Sequence, residues 1–95
     1  MAFGLNVSFH MKPGLREKFL EEIARCGVHE EIRREAGCLQ YDFFRSVDDE
    51  NLLLLVERWT DRQAQQLHLK QPHMERFFQL RDRCLDKSSL LEYDL

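Results

Sequence analysis

The sequence predicts an α+β domain with elements in the order β-α-β-β-α-β. Three observations support this prediction. Apolar and polar residues alternate near the start of the chain, apolar residues recur at helical spacing in two later regions, and two strand-like segments flank a short polar turn. A length of 95 residues leaves room for one domain, which we place at residues 1–95.

The first strand is predicted from the period of two at residues 3–11. Its apolar positions are Phe3, Leu5, Val7, Phe9 and Met11, and the polar positions between them include Asn6, Ser8 and His10. Pro13-Gly14 ends the strand, because proline cannot donate to a strand ladder and glycine eases a turn. This strand therefore has one strongly apolar face.

The first helical region begins near Leu15, where the apolar period changes. Leu15, Phe19, Ile23 and Cys26 fall on one helical stripe. Val28 and Ile32 are out of phase with that stripe, so we expect a kink or a restart near Gly27. Ala36-Gly37 ends the helix.

A hairpin is predicted next. A second strand carries Leu39, Tyr41 and Phe43 in alternation, and the polar residues 46–51 form its turn. The third strand covers residues 52–59 and ends at Trp59, the only tryptophan. Its nearly continuous apolar run is typical of a central strand covered on both faces.

The second helical region is predicted to begin after a cap at Thr60 or Asp61. Pro72 interrupts it, and a second helical piece carries an apolar stripe, followed by a closing strand. The stripe is formed by Met74, Phe77, Phe78, Cys84 and Leu85, and the strand alternates at Leu91, Tyr93 and Leu95.

This order predicts the ferredoxin-like arrangement, an antiparallel four-stranded sheet with helices on one face. We expect the other face to carry Asn6, Ser8 and His10 from the first strand, joined by Leu55, Glu57 and Trp59 from the third. Such a face mixes apolar and polar groups. It favours a pocket that is partly closed by a second copy of the chain.

Composition argues against several other classes of function. The net charge is −3, with 14 Lys+Arg and 17 Asp+Glu, and no basic patch suits nucleic acid. Three widely spaced cysteines indicate neither a disulfide framework nor a zinc site, and no Gly-rich dinucleotide loop occurs. The longest apolar run is too short to cross a membrane, and no signal segment is visible, so we expect a cytoplasmic location.

The chain resembles the antibiotic biosynthesis monooxygenase family over residues 3–95. The resemblance lies in an ordered set of segments: Met11-Lys12-Pro13-Gly14, Glu35 to Asp42, Glu57-Arg58-Trp59-Thr60-Asp61, Ala64 with His68, and Pro72-His73 with Phe77. It implies a homodimer whose sheets pack face to face as a dimeric α+β barrel. Its members include cofactor-independent monooxygenases, haem-degrading oxygenases and an isomerase-like enzyme that processes a phosphorylated autoinducer.

Three residues are candidates for the central chemistry. His68 could remove a proton from a phenol or hydroquinone, since an imidazole titrates near neutrality, or it could be a structural histidine held by Glu57. Trp59 could stack on an aromatic ligand or fill the dimer interface. Asn6 could hold a substrate carbonyl or a peroxide oxygen, or make an interface hydrogen bond.

Three further residues are candidates for binding roles. Glu57 is expected to orient His68 or an interface arginine. His73 follows Pro72, where it could cap a helix or lie at the rim of the active site. Tyr41 could belong to the core, because its alternation partners are apolar. His68 and His73 are five apart across a proline, which does not indicate a metal site.

The leading functional prediction is a cofactor-independent monooxygenase that acts as a homodimer on a small electron-rich aromatic, such as a quinol or an anthrone. Two alternatives remain open. One is an isomerase of a small phosphorylated carbonyl compound, with His68 and His73 transferring protons and Lys12 or an arginine near the phosphate. The other is a dimer that binds haem or a small aromatic without turnover.

Overall fold

A computed structural model describes residues 1–95 and contains four strands and four helices. In chain order these are β1 (Phe3–Met11), α1 (Arg16–Cys26), α2 (Val28–Arg33), β2 (Cys38–Arg45), β3 (Leu52–Trp59), α3 (Arg62–Leu69), α4 (Met74–Cys84) and β4 (Leu85–Asp94). The strands form one antiparallel sheet in the order β2-β3-β1-β4. The predicted ferredoxin-like α+β fold is confirmed, with each helical region broken into two helices.

The register between β1 and β3 decides which side chains face the helices. Leu5 pairs with Glu57, and Val7 pairs with Leu55. Paired residues on neighbouring strands point to the same face of a sheet, so the odd-numbered residues of both strands share one face. Leu5, Leu55 and Glu57 are buried under the helices. We call this the inner face, and the opposite side of the sheet is the outer face.

The prediction that β3 adds Leu55, Glu57 and Trp59 to the face of Asn6 was therefore wrong. Asn6 pairs with Val56, which places both residues on the outer face. The period of two is the same whichever face a strand presents to the core, so a one-residue error in register exchanges the two faces. Glu57 and Trp59 are hydrogen-bonded to each other, and both lie against His68 of α3.

The core is one cluster of 16 buried apolar residues between the inner face and the helices. Phe19 of α1 lies at its centre, with its ring 5.8 Å from that of Phe77 and 6.0 Å from that of Phe43. Edge-to-face rings at this separation add to the burial of apolar area. No helix combines the length and the hydrophobicity that a membrane crossing requires.

The ends of the helices match the sequence signals with two exceptions. The first helical region, predicted to end at Ala36-Gly37, ends at Arg33, because the positive φ of Gly37 belongs to the turn before β2. Gly27, with φ of 78°, ends α1 and precedes α2, as the change of phase predicts. Asp61 caps α3, since its side chain accepts a hydrogen bond from Ala64 N at 2.8 Å. Leu85, predicted to belong to the last helical stripe, is instead the first residue of β4. No loop separates α4 from β4, so β4 begins earlier than the alternation at its end indicates.

Candidate active site

A cavity of about 250 Å³ lies between the inner face of the sheet and helices α3 and α4. Its lining is mainly apolar and includes Leu55, Phe77, Phe78 and Leu90. A few polar side chains also line it: Tyr41, Glu57, Gln65, His68, Arg81 and Ser88. A mostly apolar cavity with a few convergent polar groups is the usual form of a site for a small organic ligand.

His68 reaches this cavity from α3 and is only 1% exposed. Its Nδ1 lies 2.9 Å from Glu35 Oε2 and 3.1 Å from Oε1. Burial lowers the pKa of His68, although the hydrogen bond and the negative charge of Glu35 oppose that shift. With Glu35 ionised, the neutral ring carries its hydrogen on Nδ1, which donates to the carboxylate. Nε2 is then left with a lone pair and can accept a proton.

Glu57 lies on β3 beside that lone pair. Its Oε1 is 4.0 Å from His68 Nε2 and accepts a hydrogen bond from Trp59 Nε1 at 3.1 Å. Burial raises the pKa of Glu57 to about 7, opposed by the Trp59 hydrogen bond and reinforced by the charge of Glu35. Glu57 can therefore hold or release a proton close to neutral pH.

Trp59 lies behind these two groups and has no exposed surface. Its ring centroid is 4.6 Å from that of His68, with 34° between the planes. The residues that line the cavity do not include Trp59. Within one chain it supports the imidazole and the carboxyl of Glu57, and a ligand in this cavity would meet His68 and Glu57 first.

Tyr41, on β2, completes the wall of the cavity next to His68. It is 2% exposed, and its ring centroid is 5.5 Å from that of His68. Burial, together with the charges of Glu57 and Glu35, raises the pKa of Tyr41 well above its usual value. Its phenol stays protonated near neutral pH, so Tyr41 can pack against a ligand but cannot serve there as a base.

Glu35 connects the two histidines that the sequence singled out. Besides contacting His68, its Oε2 lies 2.8 Å from His73 Nε2. His73 Nδ1 lies 3.2 Å from Glu31 Oε2 on the other side of the ring. His73 occupies the N-cap position of α4, but its side chain makes no capping hydrogen bond. It does not line the cavity, so it acts only through Glu35.

Gly37 explains how the turn that carries Glu35 approaches α3. Its φ is 84°, and its carbonyl accepts a hydrogen bond from Thr60 N at 2.9 Å. A Cβ at this position would lie 2.6 Å from Ala64 Cβ and 2.7 Å from Thr60 Oγ1. Only glycine allows this close approach, which holds Glu35 against His68.

Asn6 lies on the outer face, across the sheet from His68. Its Oδ1 accepts a hydrogen bond from the Tyr93 hydroxyl at 2.8 Å. The expected grouping of Asn6 with Trp59 and His68 is therefore not present within one chain. Any contribution of Asn6 to chemistry would take place at a different surface from the His68 cavity.

Glu35, Gln65 and Arg81 belong to this site, although the sequence predicted no role for them. Glu35 stands in a segment that carries the family resemblance, but one carboxylate in a turn has no spacing that reveals its partners. Gln65 is 7% exposed on α3. It lies three residues before His68, so the helical period places them on one face, a signal that could have identified it.

These features define a class of protein: a ferredoxin-like domain with a partly polar aromatic cavity and a buried histidine paired with carboxyl groups. The family comparison is more specific. The model of the antibiotic biosynthesis monooxygenase family matches residues 2–80, and the chain belongs to that family. The resemblance noted in the sequence is confirmed, and membership supports a monooxygenase-like function in general terms.

Individual relatives agree with this assignment. The chain is 36% identical over 73 residues to the Bacillus subtilis protein named "Putative monooxygenase YcnE", covering 77% of this chain and 75% of that protein. A crystal structure from Pseudomonas aeruginosa superposes with a TM-score of 0.84 at 28% identity, covering 99% and 94% of the two chains. A Methanosarcina mazei protein has the same fold, with a TM-score of 0.87 at 24% identity over 98% and 91%.

Proposed function

We propose that this protein is a cofactor-independent monooxygenase that oxidises a small electron-rich aromatic, such as a quinol or an anthrone. The observation that carries the proposal is His68, whose Nε2 lies beside Glu57 at the wall of an aromatic cavity. Glu35 orients the imidazole from its other nitrogen. A base held in one tautomer by a carboxylate suits proton removal near neutral pH.

The size and lining of the cavity support an aromatic substrate. An engineered cavity of about 150 Å³ in another protein holds benzene. The cavity here measures about 250 Å³, which suits one ring with substituents or a small fused system. Tyr41, Phe77 and Phe78 provide ring edges and faces for such a ligand.

The proposed reaction needs a base and a site that excludes water. His68 Nε2 removes a proton from the substrate, and the resulting anion passes one electron to dioxygen. The two radicals combine to form a carbon–oxygen bond and a peroxide. Proton return then releases one oxygen atom as water and leaves the other as a carbonyl on the product. Glu57, with a pKa of about 7, can supply that proton.

The alternative isomerase is less well supported by the site. A phosphorylated substrate needs concentrated positive charge, and Arg81 is the one lysine or arginine that lines the cavity. Arg81 is already paired with Asp82 at 2.9 Å. Neither Lys12 nor His73 reaches the cavity.

The residues also do not fit haem. The cavity of about 250 Å³ is smaller than the roughly 300–1,000 Å³ of sites for drug-sized ligands, and haem is larger than those ligands. His68 engages Glu35 through Nδ1 and turns Nε2 toward Glu57, with 1% of its surface exposed.

We also propose that the protein acts as a homodimer formed through the outer face of the sheet. Phe44 and Leu91 are 49% and 62% exposed there, and Leu54 and Val56 are half-buried beside them. Exposed apolar side chains next to each other on a sheet favour burial against a second copy. The dimer would leave the His68 cavity on the other side of each sheet.

Oxygen uptake tests the proposed reaction. Metal-stripped protein and a panel of reduced quinones and anthrones should give uptake above the rate of spontaneous oxidation. His68→Gln should lower that rate by about 10²- to 10⁴-fold, the usual contribution of a general base. His10→Gln, which changes a histidine on the outer face, is the matched control and should retain the rate.

Two results would contradict the proposal. Uptake that is unchanged in His68→Gln would remove His68 from the reaction. No uptake with any substrate, together with ligand-dependent quenching of Trp59 fluorescence, would instead indicate a binding protein without turnover.

A further inference from the structure

We propose that Glu57, His68, Glu35, His73 and Glu31 form a proton relay that connects the buried base at the cavity wall with solvent. The inference rests on the proposed function, because His68 can act as a base again only after it has given up the proton that it took from the substrate. It extends that function by assigning positioning roles to Glu35, His73 and Glu31, none of which lines the cavity.

The relay follows a continuous chain of contacts. Glu57 Oε1 lies 4.0 Å from His68 Nε2, and His68 Nδ1 lies 2.9 Å from Glu35 Oε2. Glu35 Oε2 is 2.8 Å from His73 Nε2, and His73 Nδ1 is 3.2 Å from Glu31 Oε2. Three of the four steps lie within or close to hydrogen-bond distance. The 4.0 Å step needs a small approach of the two side chains.

Exposure changes along the chain in the direction that a relay requires. The side chains of His68, Glu57 and Glu35 are 1%, 8% and 9% exposed. The side chain of His73 is 18% exposed, and that of Glu31 is 54% exposed. The inner groups are therefore shielded from water, and the outer end meets it.

The chemistry of the groups allows a proton to pass without any ring or carboxyl rotating. Protonated Glu57 gives its proton to His68 Nε2, and His68 releases its hydrogen from Nδ1 to Glu35 Oε2, the oxygen that also faces His73. Glu35 releases a hydrogen from Oε2 to His73 Nε2, and His73 releases one from Nδ1 to Glu31 or water. Each of the three inner groups gains one proton and loses one, so a single proton leaves the site.

The relay explains a pairing that packing alone does not require. One buried carboxyl group contacts two imidazoles, one on α3 and one at the residue that precedes α4. Their other nitrogens face different partners: His68 Nε2 faces Glu57 at the cavity wall, and His73 Nδ1 faces exposed Glu31. If Glu35 had only a structural role, its hydrogen bond to one of the two histidines would be enough.

Nuclear magnetic resonance on the full-length protein without substrate tests the relay. The measured quantity is the rate at which the ring hydrogen of His68 exchanges with water. His73→Gln retains an N–H group that can donate to Glu35 but cannot accept and release protons. In this variant, exchange of the His68 ring hydrogen should be about a hundredfold slower than in the wild type. This factor is the lower end of what a positioned proton-transfer group contributes. His10→Gln on the outer face is the control and should exchange as the wild type does.

Local opening of the fold must be separated from transfer along the relay. The backbone amide of Leu55, at the centre of β3, should exchange at the same rate in every variant. His73→Ala opens a gap at a partly exposed position, and added imidazole should restore His68 exchange there. Wild-type exchange in His73→Gln, or no recovery with imidazole in His73→Ala, would overturn the relay.

The same measurement keeps the two proposals distinct. It needs no substrate, so a negative oxygen-uptake assay leaves the exchange result intact. If the exchange rate of the His68 ring hydrogen depends on His73 while no substrate is oxidised, the relay is supported and the proposed reaction is contradicted. If oxygen uptake depends on His68 but the exchange rate does not depend on His73, the proposed reaction is supported and the relay is contradicted.

Discussion

Burial shifts the pKa values of the two ionisable groups at the cavity wall in opposite directions. It raises the pKa of Glu57 to about 7 and lowers the pKa of His68. Both shifts favour the neutral form of each group near neutral pH. The neutral acid can give a proton and the neutral imidazole can take one, so the pair is suited to exchange protons with a bound molecule.

The Glu57 shift predicts how stability depends on pH. The folded pKa of about 7 lies above the ordinary value of 4.5, so the folded state binds more protons between these two pH values. The stabilisation is complete below pH 4.5 and is lost as pH rises through 7. Its full size is of the order of 3 kcal/mol. Glu57→Gln stays neutral and should therefore gain stability relative to the wild type as pH rises.

Urea denaturation at a series of pH values measures this difference. His68 titrates in an overlapping range with the opposite sign, because its lowered pKa makes stability rise with pH. Burial, Glu35 and His73 cause the His68 shift, and the substitution leaves all three in place, so the difference between the wild type and Glu57→Gln reports chiefly on Glu57. A difference that does not change between pH 5 and pH 8 would contradict the buried, proton-holding state of this carboxyl group.

At the scale of elements, the pairing of β1 with β4 depends on a small residue at Gly4. Gly4 pairs with Tyr93, whose ring lies over the glycine on the outer face. A Cβ at Gly4 would lie 2.5 Å from Tyr93 Cε2. The ring position also allows the Tyr93 hydroxyl to donate to Asn6. Gly4, Tyr93 and Asn6 thus form one structural unit that fixes the edge strand.

Gly4→Ala should destabilise the fold by roughly 1 to 3 kcal/mol, because the added methyl group displaces the Tyr93 ring. Tyr93→Ala removes the ring, so Gly4→Ala should lower the free energy of unfolding much less in that background. A double-mutant cycle with urea denaturation measures the coupling. Equal costs in both backgrounds would show that the ring does not constrain position 4.

At the scale of the whole molecule, the two faces of the sheet differ in what they contact. The inner face carries the core and the cavity under the helices. The outer face has no helix over it and leaves Phe44 and Leu91 exposed. A chain of 95 residues buries a modest share of its surface alone, so the proposed association through that face would add stability.

Leu91→Glu should therefore convert the dimer to a monomer, because it places a charge in a face that must lose water on association. Leu67→Glu is the matched control, since Leu67 is 53% exposed but lies on α3, away from the outer face. Analytical ultracentrifugation gives the oligomeric state of each variant. A wild-type monomer, or a dimer that survives Leu91→Glu, would contradict association through this face.

The sequence by itself determined the order of elements and the family. Alternation at residues 3–11 and helical spacing from Leu15 are local patterns that depend on backbone geometry alone. Gly27 could be identified as a break because the apolar stripe loses its phase there. His68, Glu57 and Tyr41 were also named in advance, and all three line the cavity.

Only the tertiary structure decided the face of β3 and the network around His68. Alternation has the same period for either face, so Glu57 and Trp59 could be placed only once β3 was paired with β1. Glu35 lies 33 residues before His68 and 38 before His73. No sequence period spans such distances. The contact exists because Gly37 lets its turn approach α3, and that approach is a property of the packed molecule.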